Sequence, residues 1–315
     1  SYASFTAMCV IGLVRSKRAD HVFVESPPLF LAVPGRLVAW LWRATAIFNV
    51  ADLWPDAAVD LGLLGPGLPL RVLQAIERWA YRSYDVVNSV TDSVRRVLTD
   101  GKGIPERKLL DLPNGVDTEL FRPIAPERRA VHDLANTVVY AGTVGYIHAP
   151  EHLVSAFALL AERGRDVRLG FYATGSELDR LRAHADRLGL ATVSFADPVP
   201  LPELAEILPG ALAGVVTLAD NDMARKTRPS KMFPTMASGR PVLYCGDGEG
   251  ADMVQREDAG VVCPNAPEAI ADAIEQLIDG GRADELGANG RAFVERDLSW
   301  NAIVDRWLVA LEQVR

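Results

Sequence analysis

Four cationic side chains, Arg225, Lys226, Arg228 and Lys231, fall within seven positions of a chain whose second half is otherwise acidic. They sit in the run Asp220-Asn221-Asp222-Met223-Ala224-Arg225-Lys226-Thr227-Arg228-Pro229-Ser230-Lys231, between an apolar stretch ending at Leu218 and a helical pattern holding Phe233 to Ala237. Serine is a residue type that caps helices, so Ser230 is expected as N-cap, with the next amides and Lys231 pointing out of a helix start. Cations beside free amides make an anion site, and a diphosphate suits its extent. The plainer alternative is a solvated charged loop; the opposite-sign background favours the anion site. Asp220-Asn221-Asp222 has the spacing of a metal clasp, but the adjacent cations already supply positive charge, so no metal is expected.

Two further loops carry glycines that permit close backbone approach to a ligand. Tyr140-Ala141-Gly142-Thr143-Val144-Gly145 ends one apolar run, and Ala173-Thr174-Gly175-Ser176-Glu177 ends the next. With the cationic loop, the first gives the expected diphosphate set: Gly142, Thr143, Gly145, Arg225, Arg228, Ser230, Lys231 and Met232. Ala173 and Gly175, with the stiff stretch Asp197-Pro198-Val199, are expected around the nucleoside. In the first half, Glu25-Ser26-Pro27-Pro28 and Asp52-Leu53-Trp54-Pro55-Asp56 each follow an apolar run. Paired carboxylates, Glu25 and Asp52, can orient hydroxyls or accept a proton, which makes them the catalytic candidates. Asp56 reads as a helix first-turn acid and Trp54 as core. The histidines form no triad: His132 falls in a connector, His184 on a helix, and His148 and His152 are expected on one helical face. His148 lies just past the Gly142 loop; an ordinary surface histidine is the plainer reading.

Such loops need a scaffold that brings strand ends together. Short apolar runs alternate with helical patterns along most of the 315 residues, as in parallel α/β architecture. Strands are expected at His21 to Glu25, Ala44 to Val50, Asp85 to Ser89 and Leu109 to Leu112, with a helix over Leu68 to Ser83. A second series follows at Thr137 to Ala141, Val167 to Ala173, Thr192 to Phe195, Ala213 to Leu218, Pro241 to Tyr244 and Gly260 to Cys263. Helices are expected over 150–163, 176–188, 201–208, 230–238, 267–279 and 282–296, and from Ser299 to Val314. Phe121 to Asn136, rich in proline and charge, reads as a solvated connector. Expected domains are therefore 1–125 and 126–298, with 299–315 a final helix crossing back to the first. Ligands of open α/β sheets bind at the carboxyl edge, so a cleft is expected there. Four strands without an early glycine-rich turn suggest that the first domain lacks its opening portion.

Composition narrows the classes. Hydrophobic residues at 49% and charged residues at 23% fit a globular chain and exclude a disordered tail. Net charge is -8, divided as +1 over residues 1–125 and -9 over the remainder, which speaks against a nucleic-acid partner. Cys9, Cys245 and Cys263 show no C-x-x-C spacing and read as buried thiols of a reducing compartment. No signal segment opens the chain, so a cytoplasmic protein is expected. Pro34, Arg36, Arg43 and Asn49 interrupt the greasy stretch Leu29 to Val50, so it does not span a bilayer. Its Leu37-Val38-Trp40-Leu41-Trp42 patch suits contact with anionic lipid or, more simply, a buried helix.

Asp52-Leu53-Trp54-Pro55, the run Pro113-Asn114-Gly115-Val116-Asp117-Thr118-Glu119-Leu120-Phe121, Tyr140-Ala141-Gly142, and Pro229-Ser230-Lys231-Met232-Phe233 followed by Met236-Ala237-Ser238-Gly239-Arg240-Pro241-Val242 resemble glycosyltransferase family 4. The resemblance extends along nearly the whole chain and implies the GT-B fold, two Rossmann-like domains facing each other across a cleft. It implies a retaining, metal-independent enzyme that uses a nucleoside diphosphate sugar as donor substrate, with Asp222 and Lys226 at the donor sugar, no cofactor, and a lipid-linked or small-molecule hydroxyl acceptor. The subgroup it looks like builds bacterial surface polysaccharides on lipid carriers, peripheral at the inner face of the membrane. Where many members carry a Glu-x7-Glu pair, this chain has Lys226 and Pro234; where they place Arg and Lys after the first glycine, it has Thr143 and His148; where they place a histidine before the first-domain aspartate, it has Ala51. A nucleotide-sugar epimerase and a non-catalytic nucleotide-sugar-binding module are the alternative readings.

Overall fold

The computed structural model describes residues 6, 8, 9, 12, 16–60, 62–130 and 133–314. The chain divides into two compact units, Ser1–Pro113 with Val304–Arg315, and Asn114–Ile303. In the first, β1 (His21–Ser26), β2 (Thr45–Val50), β3 (Val86–Ser89) and β4 (Leu109–Asp111) form a parallel sheet in that order. Edge strand β1 alternates exposed and buried residues, whereas β2 and β3, covered on both faces, are almost continuously buried. The helices Ala32–Trp42 and Leu68–Ser83 supply Val38, Ala39, Ala80 and Tyr81 to the core around Phe48 and Val87. Over the opposite face, Leu311, Trp307 and Ala310 pack against Ile47, Val86 and Leu110, and the Trp307 indole donates to Asn88 Oδ1 at 2.9 Å.

The second unit holds a six-stranded parallel sheet of order β10-β9-β8-β5-β6-β7. Its strands are β5 (Thr137–Thr143), β6 (Arg168–Thr174), β7 (Val193–Ala196), β8 (Ala213–Thr217), β9 (Val242–Cys245) and β10 (Gly260–Cys263). Succession runs outward from β5 in one direction and resumes at β8 in the other, so the sheet's switch point lies between those two strands. Helices Glu151–Glu162, Pro267–Asp279 and Leu178–Arg187 bury Leu153, Phe157, Ile270, Ile274 and Leu181 against it. Cys245 and Cys263 are register partners on adjacent strands, both buried free thiols.

The strands lie within about two residues of their expected bounds, and the helix Leu68–Ser83 lies at its expected bounds. Helix Glu249–Arg256 was not expected, although its sequence is amphipathic and buries Gly250, Ala251, Met253 and Val254. It starts after Gly248, at φ +95°, where a Cβ would stand 2.3 Å from the Arg225 carbonyl oxygen. The greasy stretch ends in the buried strand β2, and before it the helix Ala32–Trp42 is only half buried: Val38 and Ala39 are covered, whereas Leu37, Trp40 and Leu41 are exposed. No helix among the described residues is long and apolar enough to cross a membrane.

The division between the units falls at Pro113, upstream of the expected boundary at 125. Segment 114–121 belongs with the second unit because its backbone is bonded there. Val116 N donates to Leu298 O at 2.9 Å, Arg291 Nη1 reaches Phe121 O at 2.6 Å, and Arg291 Nη2 reaches Thr118 O at 3.1 Å. Composition marks a polar connector but not where its carbonyls find donors. The last helix, Trp300–Gln313, starts in the second unit, and its residues from Val304 onward belong to the first. His132 lies outside the described residues.

Candidate functional site

Within the second unit, the carboxyl ends of β5 to β8 border a cavity of about 720 Å³, a volume suited to a nucleotide-sized ligand at a switch point. β5 contributes Ala141, Gly142 and Thr143; β6 contributes Tyr172; Pro198 and Val199 follow β7; Thr227 to Lys231 follow β8. Another wall is Asn114 to Asp117 with Phe121 and Trp300, and Leu201, Leu204 and Pro234 also border the cavity. That wall is a built turn, since Asp117 Oδ1 accepts the amides of Glu119 and Leu120, both at 2.9 Å. Gly115 is required there, because a Cβ would stand 2.8 Å from Ile303 and 2.9 Å from the Trp300 ring.

Lys231 is the electrostatic centre of the cavity. Its ammonium donates to the Tyr140 hydroxyl at 2.8 Å and the Thr143 carbonyl at 3.2 Å, and lies 4.3 Å from the Tyr140 ring centroid. The Tyr140 hydroxyl in turn donates a hydrogen bond to Thr143 O at 3.0 Å, and burial raises its pKa, so the phenol stays protonated. Among the described residues no carboxylate pairs with Lys231. Burial therefore lowers its pKa to about 7. An amine held this way favours any anion that restores its charge. Gly142, at φ +125°, presents its backbone beside the Lys231 stem; a Cβ would approach Lys231 Cε to 3.8 Å in a conformation that other residues rarely adopt.

His148 also lines the cavity. Its Nδ1 accepts the Gly145 amide at 3.1 Å, which puts the ring proton on Nε2. Burial, and then the positive charge of Lys231, lower its pKa to about 4, so at neutral pH it is an uncharged donor. His148→Phe is expected to lower kcat/KM for a phosphate-bearing donor about tenfold, the loss of one neutral hydrogen bond. The pH profile of kcat/KM from 6 to 8 should keep its shape, because a ring with a pKa of about 4 does not titrate there. The expected face shared with His152 does not form: Ala149, at φ +40°, separates the turn Tyr146–His148 from the helix Glu151–Glu162. His152 Nδ1 lies 2.5 Å from Asn265 O instead.

The other expected positions divide. Gly142, Thr143, Arg228, Ser230, Lys231, Pro198 and Val199 line the cavity, whereas Gly145, Ala173, Gly175, Asp197, Asp222, Arg225, Lys226 and Met232 do not. Asn221 accepts the Ala224 amide at 2.9 Å and starts a short helix, Asp222–Arg225, that curls the first cations away. Arg225 is held by Asp220, by Asp222 at 3.0 Å and by Asp247 at 3.0 Å, so its charge is already matched. Lys226 is exposed. Arg228, nearly buried, pairs with Glu249 at 3.6 Å. Ser230 is not the N-cap: Lys231 holds that position, no side-chain cap bond forms, and Ser230 uses its carbonyl to accept the Phe233 amide at 3.0 Å. Met232 is core, and its amide donates to Pro229 O at 3.3 Å.

Gly175 serves packing. At φ +141° a Cβ would stand 2.0 Å from Val144 O, and the neighbouring Thr174 carbonyl accepts the Val144 amide at 2.7 Å. Gly175→Ala should push the Gly142 loop off its seat and cost about 1–3 kcal/mol in urea denaturation, the strain of a disallowed backbone. The residues that the sequence reading left out of the site, Tyr140, His148, Tyr172, Asn114 to Asp117 and Trp300, are ordinary types in isolation. The quoted runs beginning at Pro113 and Tyr140 hinted at Asn114 to Asp117 and Tyr140, and the place of His148 just past the Gly142 loop hinted at it; nothing local marked Tyr172 or Trp300.

In the first unit, Glu25 lies in β1 and Asp52 two residues past β2. Ser26 O accepts the amides of Ala51 at 3.1 Å and Asp52 at 3.4 Å, which fixes both acids at one sheet edge. Asp52 is exposed as a residue, but its carboxyl is crowded by protein atoms. That desolvation, with the charge of Glu25 second, raises its pKa. Asp56 is indeed a first-turn helix acid, bonded to Lys102 at 2.7 Å. Among the described residues no cluster of three or more His, Cys, Asp or Glu could hold a metal ion.

Two family models match the chain: "Glycosyl transferase 4-like domain" over residues 2–115 and "Glycosyl transferases group 1" over residues 135–280. A GDP-mannose-dependent alpha-(1-6)-phosphatidylinositol monomannoside mannosyltransferase of Mycobacterium tuberculosis is 29% identical over 324 residues, covering 91% of this chain and 82% of that protein. A D-inositol 3-phosphate glycosyltransferase of Thermomonospora curvata is 28% identical over 244 residues, covering 71% of this chain and 55% of that one. Among solved structures, Anabaena HepE in complex with UDP and glucose superposes with a TM-score of 0.75 at 16% identity, covering 98% of this chain and 82% of that one. Sucrose-phosphate synthase from Thermosynechococcus elongatus superposes at 0.72 with 19% identity, covering 99% and 78%. Two parallel sheets, the ordered runs from Asp52 to Val242, and relatives and family models that agree on one activity leave the epimerase and binding-module readings unfavoured: the chain belongs to the family-4-type glycosyltransferases of GT-B fold and performs nucleotide-sugar-dependent glycosyl transfer.

Proposed function

We propose that the chain moves a hexosyl residue from a nucleoside diphosphate sugar, GDP-mannose first among donors, to a hydroxyl of a lipid-linked polyol or sugar, with retention and without a metal ion. The observation that carries this reading is the Lys231 ammonium, buried against neutral acceptors at the mouth of the Gly142 loop. In this reading the diphosphate docks on Lys231, with Arg228, Ser230 and the Gly142-Thr143 backbone around it and the His148 Nε2–H as a further donor. Tyr172, Pro198 and Val199 receive the nucleoside. GDP-mannose leads because the Mycobacterium tuberculosis relative, similar over 91% of the chain, is described with that donor and a lipid acceptor.

When the bond from the sugar C1 to the diphosphate oxygen breaks, negative charge grows on that oxygen, and Lys231 is placed to stabilise it. The acceptor oxygen forms its bond to C1 on the same face, and its proton passes to the departing phosphate oxygen. Retention through a covalent intermediate needs a free carboxylate nucleophile. Among the described residues the one acid lining the cavity, Asp117, has Oδ1 committed to two amides, which favours the single-face route. Asp220, Asp222 and Asp247 converge on Arg225, which leaves a metal little to bind among them. Glu25 and Asp52 are assigned to orienting the acceptor hydroxyl.

The test incubates the protein with GDP-mannose, and separately with UDP-glucose, in EDTA with a polyol acceptor, and reads the anomeric configuration of the product by NMR. An α-linked product from the α-configured donor, formed in EDTA, is expected. A β-linked product removes the retaining route, and abolition by EDTA removes metal independence.

A further inference from the structure

The turn that carries His148 rests on a side chain two residues beyond β10. Asn265 Nδ2 donates to Ala149 O at 3.2 Å and to Leu218 O at 2.9 Å, and its backbone carbonyl lies 2.5 Å from His152 Nδ1. One residue thus joins three segments distant in sequence: the turn Tyr146–His148 with the Ala149 that follows it, the chain leaving β8, and the start of the helix Glu151–Glu162. Ala219 N donates to Ile147 O at 2.8 Å, a backbone tie between the first two. Asn265 itself does not line the cavity.

These bonds fall where the backbone needs them. Ala149 is left-handed, at φ +40° and ψ +57°, a conformation that a residue bearing a Cβ keeps only when its surroundings hold it. The reversal there takes His148 out of line with the following helix, and its ring stands edge-on to Tyr140 with Nδ1 on the Gly145 amide. Both partners of Nδ2 are carbonyl oxygens, so position 265 needs a donor; an aspartate of the same shape would face them with oxygen. The arrangement is imperfect, because Asn265 Oδ1 is shielded from solvent and has no hydrogen-bond partner. An amide with one buried atom unsatisfied is a poor choice for stability alone, since a small apolar residue would remove that penalty. What the amide supplies is the pair of bonds that fastens the His148 turn to the end of β8.

We propose that Asn265 is a positioning residue for donor binding: its carboxamide holds the turn 147–149 against the end of β8, so that the His148 Nε2–H stays aimed at the donor diphosphate. This role rests on the donor reading proposed above, in which His148 is one of the groups on the phosphates. Among the described residues the His148 side chain bonds to the Gly145 amide and to nothing else, so the turn sets where Nε2 points. The titratable groups facing the ring are the Lys231 ammonium and the Tyr140 phenol, and neither bonds to it. A turn released from Asn265 gives the ring to water and loosens its bond to Gly145, which relieves the desolvation that keeps it uncharged.

The experiment compares Asn265→Ala, His148→Phe and the double variant. It measures affinity for GDP and UDP and kcat/KM for GDP-mannose and UDP-glucose, and follows the His148 ring nitrogens by 15N NMR across the acid and neutral range. Asn265→Ala is expected to lower diphosphate affinity and kcat/KM by about three- to tenfold, no more than removal of the histidine itself. The double variant should fall within about twofold of His148→Phe, because no ring is left to position. Asn265→Asp should lose at least as much as Asn265→Ala. In Asn265→Ala the His148 pKa should rise from about 4 toward its ordinary 6.5, with both neutral tautomers present in place of the single Nε2–H form. A residue that served stability alone would leave that titration where it was, and unchanged binding of the bare nucleoside shows that each variant is folded. Losses that multiply in the double variant, or a His148 titration and tautomer unmoved by Asn265→Ala, would overturn the proposal. Failure of the donor reading has a different signature: the His148 titration moves in Asn265→Ala, yet His148→Phe leaves affinity and kcat/KM intact, which overturns the donor role of the turn and not its fastening by Asn265.

Discussion

Lys231→Ala is expected to weaken binding of a nucleoside diphosphate by about 10- to 150-fold, while binding of the bare nucleoside stays unchanged. The magnitude is that of one hydrogen bond to a charged group, about 1.5–3 kcal/mol. The selectivity follows from position: the ammonium touches Tyr140 and Thr143 at the phosphate end of the cavity, whereas Pro198 and Val199 lie after β7. A second readout comes from protonation. With its pKa lowered to about 7, the amine loses charge as pH rises past neutrality, and diphosphate affinity should fall with it, by up to about tenfold per pH unit, until the pKa of the bound state is reached. Stability should move the other way. Between about pH 7 and the ordinary lysine pKa, the unfolded chain holds a proton that the folded one has released, so this residue's contribution rises with pH over that window. Titration calorimetry of GDP and UDP from pH 6 to 9, beside urea denaturation over the same range, reads both slopes. Lys231→Met should flatten both. An equal loss for nucleoside and diphosphate would sink the phosphate role.

Arg240→Ala should destabilise the second unit by about 2–4 kcal/mol, because it takes their guanidinium donors from two carbonyls in the interior, whereas the Asp284 carboxylate is mostly exposed and keeps Arg129. Arg240 is 3% exposed as a residue and stands in the Ser238-Gly239-Arg240-Pro241 run that marks the family resemblance. It has no contact with the cavity. Nε donates to Ala211 O at 2.6 Å, Nη2 to Leu212 O at 2.8 Å, and Nη1 to Asp284 Oδ1 at 3.0 Å. The two carbonyls immediately precede β8, so the guanidinium ties the start of that strand to the helix Ala283–Phe293. Burial lowers its pKa to about 10, with nearby Arg129 contributing, yet it stays charged at neutral pH. Arg240→Lys should recover only part of the loss, because one ammonium cannot match a planar fork aimed at three acceptors. Urea denaturation checks both variants. A donor affinity that is unaltered in the folded fraction would confirm that the residue serves structure rather than the donor.

Both results concern residues from runs that stood out in the sequence, and they show how far such runs can be read. Arg225 and Lys231 look alike in the chain, two cations six positions apart. Arg225 is neutralised in part by Asp247, 22 residues away, and Lys231 meets Tyr140, 91 residues away. Neither partner follows from local spacing. Gly175 was legible as a glycine that something approaches, but the approaching group is the Val144 carbonyl rather than a ligand. Ser230 has the right type for a cap, and the chain passes through it one residue too early.

What the sequence determined by itself was the order of strands and of most helices, Glu249–Arg256 excepted, the parallel α/β class, and the loops at which chemistry gathers. Those depend on hydrophobic periodicity and turn chemistry, which act over a few neighbouring residues. Tertiary structure decided which cation keeps an open charge, which tautomer His148 holds, where segment 114–121 packs, and which half of the Ala32–Trp42 helix faces outward. Those outcomes depend on desolvation and on hydrogen-bond partners that the fold brings together from distant positions, and no local pattern encodes that distance.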